Sequence, residues 1–275
     1  MSEYNIALLL PTRGRTAALE RSILSVVNTA DNVDSFQVLI GFDRDDTETI
    51  DYFKQTLQPK LDELGVNYQA RIFEPLGYIR LNEYVNSLAK SADADWLVFW
   101  NDDAVMETPG WDTVIANHTG EFKILAFHTH RDHPYSIFPI VPREWLELFG
   151  YLSPHQISDA WISQQAYVMD IWERINVHVT HDRYDLTGNN KDSIFETRPM
   201  LEGNPEDPRD FHHANWYRKR IADLHRLASY MKSRGLNTDF FQGVFTGKQD
   251  PWEKLKVNDI NNQMSQWKPD WAKQK

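Results

Sequence analysis

Over about its first two hundred residues the chain alternates short apolar runs with amphipathic stretches, and this alternation constrains the fold more than any other feature. Ile6 to Leu10 is a continuous apolar run stopped by Pro11, the pattern of a strand buried on both faces. From Thr16, the expected N-cap, the period changes, and Leu19, Ile23, Val26, Val27 and Ala30 share one helical face. Phe36 to Phe42 reads as a second strand. Phe53, Leu57, Leu61 and Leu64 form the apolar stripe of a second helix, stopped by Gly65. Tyr68 to Phe73 gives a third strand, and Leu81, Tyr84, Val85, Leu88 and Ala92 a third helix. Trp96 to Trp100 is apolar at every position and is expected at the centre of a sheet.

Alternation of this kind predicts parallel pairing with right-handed crossovers, and such sheets bind ligands beyond the carboxyl ends of their strands. Three strands end in charged loops: Thr12-Arg13-Gly14-Arg15, Asp43-Arg44-Asp45-Asp46 and Asn101-Asp102-Asp103. These loops are expected to meet on one edge. After Gly110 the pattern is irregular. Ile124 to His130 and Ile175 to Thr180 read as strands, and Arg143 to Phe149 and Asp159 to Met169 as helices. Beyond Pro199 the composition shifts; Tyr217, Ile221, Leu224, Ala228 and Met231 mark a helix, followed by a polar tail bearing Trp252, Trp267 and Trp271. The expected organisation is an α/β domain over 1–205 and a C-terminal helical extension with its tail over 206–275.

Composition narrows the function. A hydrophobic content of 41% supports a packed core. The formal charge of -11 disfavours a phosphate-tracking surface, so a nucleic-acid acceptor is not favoured, although Arg218-Lys219-Arg220 with neighbouring aromatics gives it local support. An acidic protein that handles a small anion must neutralise it locally, with arginines or a metal. No run is long and apolar enough to span a bilayer, and Met-Ser-Glu-Tyr-Asn does not open a signal peptide. The lack of cysteine excludes disulfides and thiolate metal sites and suits the cytoplasm.

Asn101-Asp102-Asp103 directly follows the most apolar strand. Adjacent acids there repel one another unless a positive group lies between them, and a hard divalent cation with oxygen ligands fills that need while bridging to a diphosphate. The alternative is a plain acidic turn, since Asp and Asn favour turns; its place after a buried strand, beside two other polar loops, favours the functional reading.

The run from Ala7 to Arg15, the helix after it, the segment from Gly77 to Asn82, and Trp96-Leu-Val-Phe-Trp-Asn-Asp-Asp resemble family 2 glycosyltransferases of the GT-A fold. The resemblance covers about the first two hundred residues by order of elements, and about the first hundred most specifically. It implies a mostly parallel central sheet flanked by helices, and transfer of a sugar from a nucleoside-diphosphate donor, UDP-linked, to a carbohydrate or other hydroxyl-bearing acceptor. The acidic triplet then matches the DXD motif that holds Mn²⁺ or Mg²⁺ against the diphosphate, with Asn101 departing from the pattern at its first position. Asp103 inherits the metal-ligand role, and Asp102 faces the ribose or shares the metal. Thr12, Arg13 and Arg15 would line the nucleotide, the arginines offsetting diphosphate charge or packing on the base; solvated loop arginines are the alternative for each. Asp43 closes the second strand where the family places an acid against the nucleoside, whereas Asp45 and Asp46 read as solvent-facing loop charges. Asn82, on the first turn of the third helix, matches a family Asn near the donor. Asp159 matches the general base of inverting members, with an ordinary N-terminal helix acid as the alternative. A late histidine often completes the metal site; His178 and His181 compete for that role on opposite strand faces, and His181, at the strand end, is favoured, with Asp192 supporting the loop beyond it.

A second motif competes. His128-Thr-His130-Arg-Asp132-His133 fits H-x-H-x-D-H and resembles the zinc site of metallo-β-lactamase-fold hydrolases, in which imidazoles and a carboxylate activate a water. It ranks second because it follows a βαβ series, is followed by Pro134-Tyr135 in place of small residues, and leaves the three polar strand ends without a task. A non-catalytic carbohydrate- or nucleotide-binding module is the third reading.

Overall fold

The structure is a computed structural model, which describes residues 2–129, 136–182, 204 and 206–238. Its frame is one eight-stranded sheet in the order β3-β2-β1-β4-β7-β6-β8-β5. The strands are β1 (Tyr4–Thr12), β2 (Phe36–Asp43), β3 (Asn67–Phe73), β4 (Ala94–Phe99), β5 (Ala104–Met106), β6 (Ile124–Thr129), β7 (Ile140–Pro142) and β8 (Trp172–His181). From β3 to β4 every pairing is parallel, as the alternation predicts. Beyond β4 the sheet is mixed: β7 runs antiparallel to β4 and to β6, β8 runs parallel to β6, and β5 antiparallel to β8. The chain is thus α/β with a mostly parallel sheet flanked by helices.

Pro11 does not stop β1, which continues to Thr12. Beyond Leu9 this strand has a partner only on the β2 side, so an absent proline N–H is tolerated there. Strand alternation divides the core in two. Ile6, Leu8, Leu10, Val38, Ile40 and Val98 face α1 (Thr16–Thr29), α2 (Thr47–Tyr52), α3 (Gln58–Glu63) and α5 (Trp111–Ala116). Ala7, Leu9, Leu39 and Leu97 face α4 (Leu81–Ser91), α6 (Arg143–Phe149), α7 (Ser158–Val168) and α8 (Ala214–Ser233). Leu224, Leu227 and Met231 place α8 in the same core as the strands.

Three local expectations change. Thr16 is the first helical residue of α1, with Arg15 in the cap position and no side-chain cap among the described residues. The second helix is interrupted by a π-helical stretch, Phe53–Leu57, between α2 and α3. Gly65 does close α3 with φ of +68°, but this phase leaves Leu64 exposed while Phe53, Leu57 and Leu61 are buried. The tryptophans of the tail, together with His130, Asp132, His133 and Asp192, lie outside the described residues.

Candidate active site

Because β1, β2 and β4 are parallel, their polar carboxyl ends emerge at one edge of the sheet, and β8 delivers His181 to the same place. Asn101 turns the chain at the end of β4; its carbonyl accepts from Ser22 Oγ at 2.9 Å, and Trp100 Nε1 donates to that hydroxyl at 2.8 Å. The turn exit is held by the Asp182 N–H donating to the Asp103 carbonyl at 2.8 Å. Asp102 and Asp103 are thereby buried, at 1% and 5% exposure, with their carboxylates directed into a network.

Thr12 Oγ1 donates to Asp102 Oδ2 at 2.7 Å. The Arg15 guanidinium spans the acidic pair, with Nη2 2.6 Å from Asp102 Oδ1 and Nη1 3.3 Å from Asp103 Oδ2. His181 Nε2 lies 3.3 Å from Asp103 Oδ1, its ring edge-on to Phe138 at 5.0 Å. Burial pushes the Asp103 carboxyl up, but the contact with His181 and the charge of Arg15 outweigh burial and hold it below the usual carboxylate range. The positive group expected between the two acids is, in this structure, Arg15.

The β2 end forms a second cluster. Arg13 Nη1 binds Asp43 Oδ2 at 2.7 Å, and its Nη2 donates to Asp45 Oδ2 at 2.9 Å. Asp43 also accepts from the buried Tyr84 hydroxyl, which burial and this bond push up to about 12. Asp45 and Asp46 are not merely solvated charges. Asp45 holds Arg13, and Asp46 caps α2 through the Thr49 N–H at 3.4 Å and takes the Gly14 N–H at 2.7 Å, so it fixes the loop carrying Arg13 and Arg15.

A cleft of about 190 Å³ joins these residues to α7. Arg15, Asn101, Asp102, Asp103 and His181 line one side, Asp159 with Gln156 and Ser158 the other, over an apolar floor that includes Val85 and Phe99. Asp159 sits in the first turn of α7, its Oδ1 accepting from the Ala160 N–H at 2.8 Å. Thr12 adjoins the cleft through its bond to Asp102 without lining it; Arg13 and Asp43, bonded to one another, to Asp45 and to Tyr84, and Asn82, half-buried at the start of α4, are not among its lining residues. His178 is exposed on the opposite side of β8 from His181, and of the two His181 is the one that lines the cleft.

Other residues that build the site are not evident from the sequence. Asn86 on α4 accepts the Leu152 N–H at 2.8 Å and donates to the Ser153 carbonyl at 2.7 Å. His155, 1% exposed, accepts the Ile157 N–H on Nδ1 at 3.1 Å and donates from Nε2 to the Arg209 carbonyl at 3.1 Å. Together they fix the turn that delivers Asp159. Nothing in the local pattern marks either residue, because their partners lie far along the chain. Arg21 of α1 binds Asp182 at 2.5 Å and ties down the exit of β8.

The rival zinc motif has one described member. His128 stands opposite His178 in the β6–β8 ladder, stacked on it at 4.9 Å, and does not line the cleft. Another grouping of potential ligands among the described residues, His118, Glu121 and Glu173, is already bridged by Lys123 Nζ at 2.9 Å and 2.5 Å from the two carboxylates. A larger cavity, about 600 Å³, lies at the amino ends of β1 and β4; Glu121 is on its wall, and none of Arg15, Asp102, Asp103, Asp159 and His181 lines it.

No protein-family model matches the chain, and no curated protein matches it in sequence. Solved structures share its fold. A mannosyltransferase from Pyrobaculum calidifontis, PcManGT, in complex with GDP-Man and Mn²⁺, aligns with a TM-score of 0.53 at 12% identity, over 95% of this chain and 85% of that one. S. aureus TarS 1–349 in complex with UDP-GlcNAc gives 0.61 at 11% identity, over 95% and 73%. GalNAc-T7 with UDP, GalNAc and Mn²⁺ gives 0.50 at 10% identity, over 65% and 44%. At these identities the likeness is one of fold, and the chain has the GT-A-type fold of these nucleotide-sugar glycosyltransferases. The metallo-β-lactamase-like motif therefore sits on a different fold from the one it would serve.

Proposed function

We propose that this chain is a metal-dependent glycosyltransferase of the hexosyl type, moving a sugar from a UDP-linked donor to an acceptor hydroxyl with inversion. One observation carries the reading: the buried pair Asp102–Asp103, Arg15 and His181 share one cleft with Asp159, at the carboxyl edge of the sheet. A fold alone does not define activity, so the weight rests on this constellation.

The donor set suits a hard divalent ion. Asp103 and His181 would hold Mn²⁺ or Mg²⁺ with oxygen and nitrogen, and Asp102 would share it or face the ribose. When bound, the ion would offset the charge that develops on the departing diphosphate. The chain's own residues do the rest. Arg13 and Arg15 supply cationic contacts for the donor, and Thr12 holds the Asp102 carboxylate in place. Asp43 is assigned to the nucleoside, Asn101 to shaping the turn beside the diphosphate, and Asn82 to the outer margin of the donor site. The amino end of α1, close behind Arg15, adds N–H groups that favour an anion. Asp159 takes the proton from the acceptor hydroxyl as that oxygen attacks from the α7 side.

The experiment is titration calorimetry against a panel of nucleoside diphosphates and nucleotide sugars, with and without Mn²⁺. Metal-dependent binding of a nucleoside diphosphate, lost in Asp103→Asn, is the expected result. Tight zinc binding with no nucleotide response, lost on mutating His128 and His130, would replace the transferase with the hydrolase.

A further inference from the structure

Arg15 occupies the electrostatic position for which a divalent ion is otherwise required. Asp102 and Asp103 are adjacent, both nearly inaccessible to water, and their charges are compensated by one guanidinium whose two Nη atoms reach a carboxylate oxygen of each. A guanidinium that bridges two buried acids in this way offsets the cost of placing them side by side. Among the described residues the Thr12 hydroxyl and His181 also contact the pair, and Arg15 is the group that bridges both acids. Arg15 is itself mostly shielded, with 17% of its side chain exposed, on a loop held by Asp46 and Thr49 through the Gly14 N–H.

A cation arriving at Asp103 must therefore contend with Arg15. At this separation two positive centres sharing one carboxylate pair oppose each other by an amount large enough to change affinity by an order of magnitude. A nucleoside diphosphate changes the balance. It brings phosphate oxygens to the same edge and offers the guanidinium a bidentate partner in exchange for the carboxylates.

We infer that Arg15 is a resident counter-cation of the Asp102–Asp103 pair, which suppresses metal binding to the empty site and transfers to the diphosphate when donor and metal enter together. The inference rests on the donor-site reading above and adds to it a coupling: metal and nucleoside diphosphate bind cooperatively because one side chain must exchange partners. In this role Arg15 is a positioning residue, which holds the two carboxylates aligned before the donor arrives.

The test compares Mn²⁺ binding to wild type and Arg15→Gln by electron paramagnetic resonance, first with Mn²⁺ alone and then with UDP. Arg15→Gln should bind Mn²⁺ alone roughly tenfold more tightly, within the range usual for linked sites. UDP should tighten Mn²⁺ binding strongly in the wild type and far less in the variant. The metal-free variant should also melt at a lower temperature than wild type, with Mn²⁺ recovering the difference. Arg15→Lys keeps the charge but cannot span both carboxylates, and should fall between the two. Equal or weaker Mn²⁺ binding in Arg15→Gln, or Arg15→Lys matching wild type, overturns the inference. Failure of UDP to bind wild type under any condition counts against the transferase reading instead, because the comparison with Mn²⁺ alone decides the role of Arg15 independently.

Discussion

His155 ties the presentation of Asp159 to pH. It is 1% exposed and held between the Ile157 N–H and the Arg209 carbonyl, and burial, opposed by the bond to Arg209, pushes it down to about 4 in the folded chain. Nearby Arg220 lowers it further and Asp210 opposes that. In the unfolded chain the same ring titrates near ~6.5. The folded value is the lower one, so between these limits the unfolded state binds more protons and acid favours unfolding. Stability from the neutral ring is complete above about pH 6.5 and is lost as pH falls towards 4. Between pH 7.5 and 4.5 this single group removes about 2–3 kcal/mol. Urea denaturation of wild type and His155→Gln at both pH values isolates the term. The variant should be weaker at pH 7.5, by about 1 kcal/mol for each bond it cannot remake, and its loss on acidification should be smaller than that of wild type by about 2–3 kcal/mol. Parallel pH dependence in the two proteins, or an NMR titration placing the wild-type ring near 6.5, refutes the reasoning.

Other perturbations test separate parts of the account. Asp159→Asn should cut turnover by about 10²–10⁴ and leave donor affinity unchanged by calorimetry; lost donor binding would move Asp159 out of the acceptor role. Asp112, 2% exposed, accepts from the Asp31 and Asn32 N–H groups and from Ser35 Oγ, so Asp112→Ala should destabilise by about 2–4 kcal/mol in chemical denaturation. Gly110 has φ of +72°, and a Cβ there would meet Asp31 Oδ2 at 2.7 Å, so Gly110→Ala should cost about 1–3 kcal/mol and lower the melting temperature.

The parallel half of the molecule was legible because its signals are long and redundant. β1, β2 and β4 are buried runs, β3 is a largely exposed edge strand, and each helix between them carries several apolar residues at helical spacing. That order dictates which edge the loops share, and so the sequence puts Arg15, Asp43 and Asp102–Asp103 at one edge of the sheet. The other half was less readable for a physical reason. β5 and β7 are three residues each, too short to express a period, and yet they make the sheet mixed. The π-helical stretch and the exposed Leu64 show how one extra residue per turn rephases a stripe. In the site, residue types were readable and their partners were not. The sequence marks Arg15 as a candidate for phosphate, but its grip on both carboxylates depends on the loop that Asp46 holds. Asn86 and His155 act through bonds spanning 66 and 54 residues, which no local pattern encodes.

The central claim is that the carboxyl edge of the sheet binds a nucleoside diphosphate through a metal at Asp103. Crystals grown with UDP and Mn²⁺, measured at the manganese absorption edge, address it directly. An anomalous peak in contact with Asp103 and His181, joined to the diphosphate and with Arg15 turned to the phosphates, is the predicted result. Manganese at His118, Glu121 and Glu173, or nucleotide in the cavity at the opposite edge with Arg15 still on the acidic pair, would contradict it.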